Sequence, residues 1–243
     1  MKYFFEMIFC LLCECGCLKI IKFFFIFICI DDKYAFRYAC RNGHLEVAKW
    51  LISKENKLDI NIYVEIEDNF HWACCNGYLN IAKWLIEISK ENKLDINIHS
   101  YNEFAFRWTC CDGHLEVAKW LIEIGNERKS PIDIHAGNDH AFRFACKNGY
   151  LEVAKWLIKI GDERKSPIGI LCYEDAFYLS FTNYEIELHK WLFRYIFQNR
   201  YIKISKWLLT LYTNEKLINL NHPLAKEELE NRKKNKILLI LHL

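Results

Sequence analysis

The segment AFRFACKNGYLEVAKWL, residues 141–157, decides the architecture of this 243-residue chain. Three other segments align with it without gaps: AFRYACRNGHLEVAKWL (35–51), NFHWACCNGYLNIAKWL (69–85) and AFRWTCCDGHLEVAKWL (105–121). Their glycines follow one another at intervals of 34, 36 and 36 residues. A unit of this length cannot bury its apolar side alone, so a recurring copy predicts an array of stacked units.

Each unit is predicted to contain two helices joined by a short turn. In the quoted copy, Phe142 and Cys146 are four residues apart on one side of a first helix, and Gly149 follows. Glycine adopts the left-handed backbone conformation that ends a helix at low cost. An amphipathic second helix then starts at Leu151. The turn glycines are therefore predicted structural residues: Gly43, Gly77, Gly113 and Gly149.

The linkers between units are predicted to form extended fingers. The segments SKENKLDINIH, from Ser89, and NERKSPIDIH, from Asn126, each contain helix-breaking residues followed by alternating apolar and polar residues. Such alternation is typical of an extended backbone with one buried side.

Tryptophan and cysteine each recur at one position of the unit. The tryptophans could stack on bases, but packing between units is the preferred interpretation, and it makes them structural: Trp50, Trp84, Trp120, Trp156 and Trp191. The cysteines 40, 74, 110 and 146 are predicted to be small buried groups. Cys13, Cys15 and Cys17 lack the spacing of a zinc site, so we expect no metal.

These residues resemble the ankyrin repeat. Gly43-His44 and Gly113-His114 match the turn of that family, and Asp59-Ile60-Asn61 and Asp95-Ile96-Asn97 match its closing Asp-Val-Asn. The form NGHLEVAKWL looks similar to ankyrin proteins of giant DNA viruses of amoebae. The family's initial Thr-Pro pair is absent, and its histidine is replaced by arginine except at His71. The resemblance implies an all-α solenoid of helix-turn-helix units.

The predicted array covers residues 1–220, followed by a capping helix or tail over 221–243. It comprises a degenerate repeat (about 8–31), four repeats (about 35–68, 69–104, 105–140 and 141–175), a degenerate copy (176–195) and a partial one (196–212). A membrane or signal segment is the alternative for residues 1–30, although charges interrupt its apolar run. A docking segment is the alternative for the tail.

Composition narrows the range of possible functions. Because 33 basic and 31 acidic residues nearly balance, no field attracts nucleic acid, and nucleic acid is not expected. Twelve cysteines with no convincing secretory signal favour a reducing cytoplasm. The histidine after the turn glycine alternates with tyrosine, which excludes a shared proton-transfer role. We expect no catalytic residue, no cofactor and a monomer.

The resemblance implies a scaffold that binds a protein, from the host if the chain is viral, through finger tips and first helices on the concave side. The implied contact residues are Arg41, Tyr63, Glu65, Glu67, Cys75, Ser100, Tyr101, Glu103, Asp112, Asp139 and Lys147. Three other functions are alternatives: a membrane-tethered adaptor, a ubiquitin-ligase substrate adaptor and an enzyme built on a helical solenoid.

Overall fold

The structure of the chain is a computed structural model. It describes residues 11–13, 15–25, 32–53 and 62–169, and beyond them 172–173, 175–176, 188, 191–192, 194–196, 226–227 and 229–233; the side chains of 24–25, 32–34 and 62–65 are outside that description. The chain divides into two compact units, Met1–Ile168 and Gly169–Leu243.

Besides the helical residues 11–13, the described part of the first unit contains nine helices and no strand, which confirms the predicted all-α class. After α1 the helices come in pairs, a first and a second helix for each repeat. They are α1 (Leu18–Phe25), α2 (Asp32–Arg41), α3 (Leu45–Ile52), α4 (Ile62–Cys75), α5 (Leu79–Glu91), α6 (Ser100–Cys111), α7 (Leu115–Glu127), α8 (Ala136–Lys147) and α9 (Leu151–Glu163). First helices pack against the first helices of the next repeat, as in a solenoid.

Every first helix ends in the same glycine turn, as predicted. The turn glycines have φ between 78° and 85°, in the left-handed region. One residue later, the backbone N–H of Tyr150 donates to Ala145 O at 2.9 Å, and that of His114 donates to Thr109 O at 3.0 Å. This hydrogen bond from the N–H of one residue to the carbonyl five residues earlier satisfies an oxygen that the end of the helix would leave without a partner.

The residue after each turn glycine lies against the glycine of the preceding repeat. A Cβ built on Gly113 would lie 2.3 Å from the Tyr150 ring, and one on Gly77 would lie 2.5 Å from the His114 ring. Only glycine, whose side chain is a single hydrogen atom, leaves room for the ring at this distance. Because the position needs a planar ring, histidine and tyrosine alternate there, and the interpretation of these histidines as turn residues is confirmed.

The recurring tryptophans join one repeat to the one before it. The ring centroid of Trp84 is 6.3 Å from that of Phe36, and Trp120 and Trp156 lie 6.2 Å from Phe70 and Phe106. The phenylalanines are fully buried and the tryptophans are half-buried. These three indole rings therefore pack between neighbouring repeats.

The core holds the small residues of the first helices and the aliphatic residues of the second. Cys74, Cys110 and Cys146 are fully buried, and none of the described cysteines forms a disulfide. Burial raises the pKa of these thiols well above its ordinary value, so they stay protonated. The prediction that they act as small apolar groups is confirmed.

The linkers that follow α5 and α7 alternate between buried and exposed residues, as predicted for fingers. The linker over 54–61, with its Asp59-Ile60-Asn61 close, lies outside the described residues. Ile96 and Ile98 are buried, whereas Asp95 and Asn97, each of which comes directly before one of them, are exposed. In the next linker Ile132 and Ile134 are likewise buried. The finger is tied to the following repeat by arginine, since Arg128 Nη1 donates to Ile96 O at 2.8 Å; Arg164 repeats that contact with Ile132 O at 2.8 Å.

The terminal predictions fall mostly outside the described residues. In the second unit Leu192 and Ile196 are buried, and Trp191 stacks on Tyr195 with centroids 5.6 Å apart. The predicted partial copy over 196–212 is described only at its first residue, and the tail is helical at 226–227 and 229–233. Among the described residues, none of the helices is long and apolar enough to cross a membrane.

Candidate partner-binding surface

Aromatic side chains form a continuous band along the outer side of the first helices α4, α6 and α8. We call this band the aromatic ribbon, and its members are His71, Tyr101, Phe104, Trp108, His140 and Phe144. Successive ring centroids lie 5.7 Å apart from His71 to Phe104, then 5.8 Å to Trp108, 5.9 Å to His140 and 4.2 Å to Phe144. The ribbon therefore crosses three repeats without a break.

Helix geometry explains why these rings point outward. Phe104 and Trp108 are four residues apart and share one side of α6, whereas Phe106 and Cys110 point to the other side and are fully buried. Trp108 is 40% exposed and Tyr101 is 72% exposed. His71 is 3% exposed and forms the buried end of the ribbon, whereas the other five rings are only partly covered. Those five rings offer apolar area that folding of the described residues leaves uncovered.

Cationic side chains lie beside the rings. Lys147 Nζ is 5.2 Å from the centroid of Phe144, and the Arg41 guanidinium is 4.3 Å from the centroid of Trp72, which is 37% exposed. Trp72 occupies the same position in α4 that Trp108 occupies in α6. Aromatic rings with adjacent cations are the residue types that dominate protein-binding interfaces.

The finger tips are short left-handed turns. Tyr101, Asn102 and Glu103 have φ of 52°, 58° and 58°, and Gly137, Asn138 and Asp139 repeat this conformation in the next repeat. Arginine stabilises each turn, since Arg107 Nε donates to Asn102 O at 2.7 Å and its Nη2 donates to Tyr101 O at 3.1 Å. The arginine that replaces the family's histidine thus holds the tip.

Two predicted contact residues are buried inside the fingers and stabilise them, so a partner could not touch their side chains. Glu103 is 6% exposed; its Oε1 is 2.8 Å from His99 Nδ1 and accepts the backbone N–H of Asp133 at 3.2 Å. Asp139 is 5% exposed, with its Oδ1 2.5 Å from His135 Nδ1. Buried carboxylates need such partners, so their assignment to a contact surface is corrected to a role inside the finger.

The first finger tip was also predicted in the wrong place. Tyr63, Glu65 and Glu67 lie within α4 and not in a loop, and the side chains of the first two fall outside the described part. Neither Ile66 nor Glu67 has positive φ. The segment 65–67 lacks the asparagine or glycine that favours a left-handed turn, so the helix starts earlier. Glu67 accepts a hydrogen bond from the Ser100 hydroxyl.

The remaining predicted contact residues differ in exposure. Arg41, Tyr101 and Asp112 are exposed, and Ser100 and Lys147 are half-buried. Cys75 is 6% exposed, which places it in the core. Sequence reasoning missed the ring positions of the ribbon in the first helices, although an aromatic residue stands at the equivalent place in all four clear copies.

The surface holds one cysteine next to a histidine, but the pair is unsuited to nucleophilic chemistry. Cys111 Sγ lies 3.5 Å from His140 Nδ1. Burial raises the pKa of Cys111 to about 12, and burial together with Arg107 and Arg143 lowers the pKa of His140. A thiol that stays protonated is a poor nucleophile, so the arrangement supports contact and not covalent catalysis. In the described part of the chain no group of His, Cys, Asp and Glu side chains could hold a metal ion.

Comparison with known proteins agrees with the repeat. The family model described as "Ankyrin repeats (3 copies)" matches residues 5–100 and 70–166, which is more than half of the chain. No curated protein matches this sequence.

Proposed function

The chain belongs to the ankyrin-repeat family, and on that premise we propose that it binds a protein partner through the aromatic ribbon and the adjoining finger tips. Ankyrin repeats are generally modules for protein–protein interaction. The observation that carries the proposal is the run of partly exposed rings along α6 and α8, together with the exposed ring of Trp72 on α4. Exposed apolar patches that extend this far mark interaction surfaces in soluble proteins.

The rigidity of the surface supports binding. Arg107 holds the tip at Tyr101, and glycine turns and tryptophan contacts hold the first helices in register. A surface that is already ordered loses little conformational freedom when a partner docks. Binding is the whole activity in this proposal, because the chemistry of the surface offers contacts and no activated nucleophile.

The finer parts of the proposal rest on the resemblance, on the cysteines and on the stacking of the repeats. The form NGHLEVAKWL stands at 42–51 and recurs with one substitution at 112–121 and 148–157 and with three at 76–85. It is the ground for proposing a viral origin and a host partner. We propose a cytoplasmic site of action, and the burial of most of the described free cysteines is compatible with a reducing compartment. We propose a monomer, because the repeats stack on one another within one chain.

The proposal is tested by site-specific photo-crosslinking of the full chain in lysate of the cell that produces it. A photoreactive residue replaces Trp108 in the ribbon, and in a matched protein it replaces Lys119, which lies on the outer side of the second helix α7 and pairs with Glu116 at 2.7 Å. We expect crosslinked proteins at position 108 that are absent at position 119. Equal crosslinking at both positions would contradict the proposed surface.

A loss-of-contact variant completes the test. Tyr101→Ala combined with Trp108→Ala removes the two most exposed rings of the ribbon and leaves the core unchanged. The double variant should retain its helical circular dichroism and lose the crosslinked partner from a third ribbon position, Phe144. Retention of the partner by a folded double variant would show that the ribbon is not the docking site.

A further inference from the structure

The linkers that follow α7 and α9 begin with the same six residues, Glu-Arg-Lys-Ser-Pro-Ile, at 127–132 and 163–168. They contain two of the three prolines of the chain, and each of these two directly follows a serine. A serine followed by proline is the minimal sequence that proline-directed serine/threonine kinases recognise. Both linkers therefore carry the sequence of a phosphorylation site, at Ser130 and at Ser166.

The end of the helix does not require this Ser-Pro pair. The linker after α5 has Leu94 and Asp95 at the two positions, and it makes the same turn. Lys93 and Lys129 both have positive φ, at 58° and 55°. The N–H of the next residue donates to the carbonyl five residues earlier, at 2.8 Å for Leu94 and 2.9 Å for Ser130. Since the turn forms without serine or proline, its geometry does not account for the pair.

The fold presents both serines at the surface. Lys129, Ser130 and Pro131 are all exposed, and so are the equivalent residues 165–167. The helices α7 and α9 end before these residues, and a proline disfavours the helical conformation of the residue that precedes it. A kinase binds the residues around its target in an extended conformation. The two hydroxyls can therefore reach a kinase without the unfolding of a helix.

A histidine lies next to the hydroxyl of Ser166. The Oγ of this serine is 2.9 Å from His135 Nε2, and its carbonyl oxygen is 3.0 Å from the same nitrogen. The other ring nitrogen of His135 lies 2.5 Å from Asp139 Oδ1 in the finger tip. His99 precedes Ser130 by the same number of residues, and among the described residues its buried Nε2 has no hydrogen-bond partner. A phosphate oxygen at this place would give an imidazole nitrogen a charged acceptor.

We propose that Ser130 and Ser166 are phosphorylated by a proline-directed serine/threonine kinase with ATP as the phosphate donor. The serine Oγ forms a bond to the γ-phosphorus while the bond from that phosphorus to the β,γ-bridging oxygen breaks. ADP leaves, and the catalytic base of the kinase takes the hydroxyl proton. Each phosphate adds a charge of about −1.5 to −2 at neutral pH. On Ser166 it accepts a hydrogen bond from His135 and so joins the finger tip to the next linker. This modification is independent of what the ribbon binds.

The first test is incubation of the folded full chain with MgATP and, in separate reactions, a mitogen-activated and a cyclin-dependent protein kinase. Mass spectrometry should find phosphate on Ser130 and Ser166 and none on Ser100, which is not followed by proline. Pro131→Ala and Pro167→Ala should each remove phosphate from the preceding serine alone, so each site is the control for the other. No phosphate from either kinase, or phosphate that persists in both proline variants, would overturn the proposal.

A synthetic peptide copying residues 126–135 measures how well the fold presents the site. We expect Ser130 in the folded chain to be phosphorylated at a rate within roughly tenfold of that of the peptide, because no prior local unfolding is needed. A larger difference would mean that the linker has to open before it reacts, and this would overturn the argument from exposure.

Phosphorus NMR tests the contact with His135. In the Ser130→Ala chain phosphorylated at Ser166, the phosphate should become dianionic at lower pH than in a phosphorylated peptide copying residues 161–169. It should also do so at lower pH than in the same chain with His135→Gln, since an adjacent imidazolium favours the dianion. Should His135→Gln lose its helical circular dichroism, the comparison with the peptide decides alone. A phosphate that titrates as it does in the peptide would overturn the contact with the histidine.

Discussion

Replacing Gly113 with alanine tests whether the contact between a ring and a glycine holds neighbouring repeats together. Gly113 has φ of 81°, and a non-glycine residue in this conformation costs roughly 1–2 kcal/mol. The new Cβ would lie 2.3 Å from Tyr150 Cδ1 and 2.4 Å from its Cε1. Since carbon atoms in contact are roughly 3.5–4.0 Å apart, the ring has to leave its place or the repeats have to separate.

The expected loss combines both effects. Overpacking of this kind costs about 1–3 kcal/mol, which with the backbone cost gives a total of about 2–5 kcal/mol in the free energy of unfolding. The assay is urea unfolding of the full chain followed by far-ultraviolet circular dichroism. A lower midpoint with an unchanged slope would show lost stability and not a change in the unfolding cooperativity of the array.

A double-mutant cycle separates the ring contact from the backbone cost. Tyr150→Ala removes the ring, so adding Gly113→Ala to it should cost only the backbone contribution, about 1–2 kcal/mol. The two substitutions should therefore be non-additive by about 1 kcal/mol or more. Additive effects, or a loss below about 1 kcal/mol for Gly113→Ala alone, would refute the argument that the glycine is required by the ring above it.

Three other predictions use the same unfolding assay. Trp120→Ala removes a ring that packs between repeats and should cost about 3 kcal/mol, whereas Trp108→Ala on the ribbon should cost about 1 kcal/mol or less; a reversed order would contradict the assigned roles. Thr109 is fully buried and its Oγ1 has no hydrogen-bond partner among the described residues, so Thr109→Ala should stabilise the chain by about 1 kcal/mol, and a loss would show that the hydroxyl is satisfied. The folded-state pKa of His140 lies below its ordinary value of 6.5, so the contribution of this histidine to the free energy of unfolding is complete above pH 6.5 and is lost as the pH falls below it. His140→Phe should therefore weaken the loss of stability in acid. An unchanged dependence of stability on pH would exclude the effect.

The frame of the repeat could be predicted from sequence because its determinants are local or periodic. Gly77 ends a helix through its own backbone freedom, and Cys74 is buried because it recurs on the apolar side of the first helix. A tryptophan stands at the position of Trp120 in all four clear copies, and this recurrence likewise indicated packing between repeats. None of these predictions needed knowledge of which residues meet across a large separation in sequence.

The finger tips could not be predicted because their conformation depends on distant partners. Glu103 looks like an exposed tip residue in the sequence, yet its carboxylate accepts the N–H of Asp133, 30 residues later. The left-handed turn at Tyr101 is stabilised by an arginine that lies six residues further along. Periodicity locates such a loop, but it does not say which of its side chains turn inward.

The ribbon could have been found, since its signal is present in the sequence. Phe104 and Trp108 are four residues apart, and both are out of phase with the buried Phe106 and Cys110 in the same helix. The phenylalanine near the start of each first helix lies in the core, as Phe106 and Phe142 do. Tracing the helical phase separately for each aromatic residue would have separated the packed ring from the exposed ones.

The placement of these rings separates binding from stability. Trp120 and Gly113 hold repeats together through contacts with the neighbouring repeat, whereas Trp108 and Phe144 mainly contact other members of the ribbon. We expect substitution in the first group to loosen the array, and under the proposed function substitution in the second changes what the surface recognises. The contact side can therefore vary between repeats without loss of the stacking that positions it, which is the physical advantage of building a binding surface from repeats.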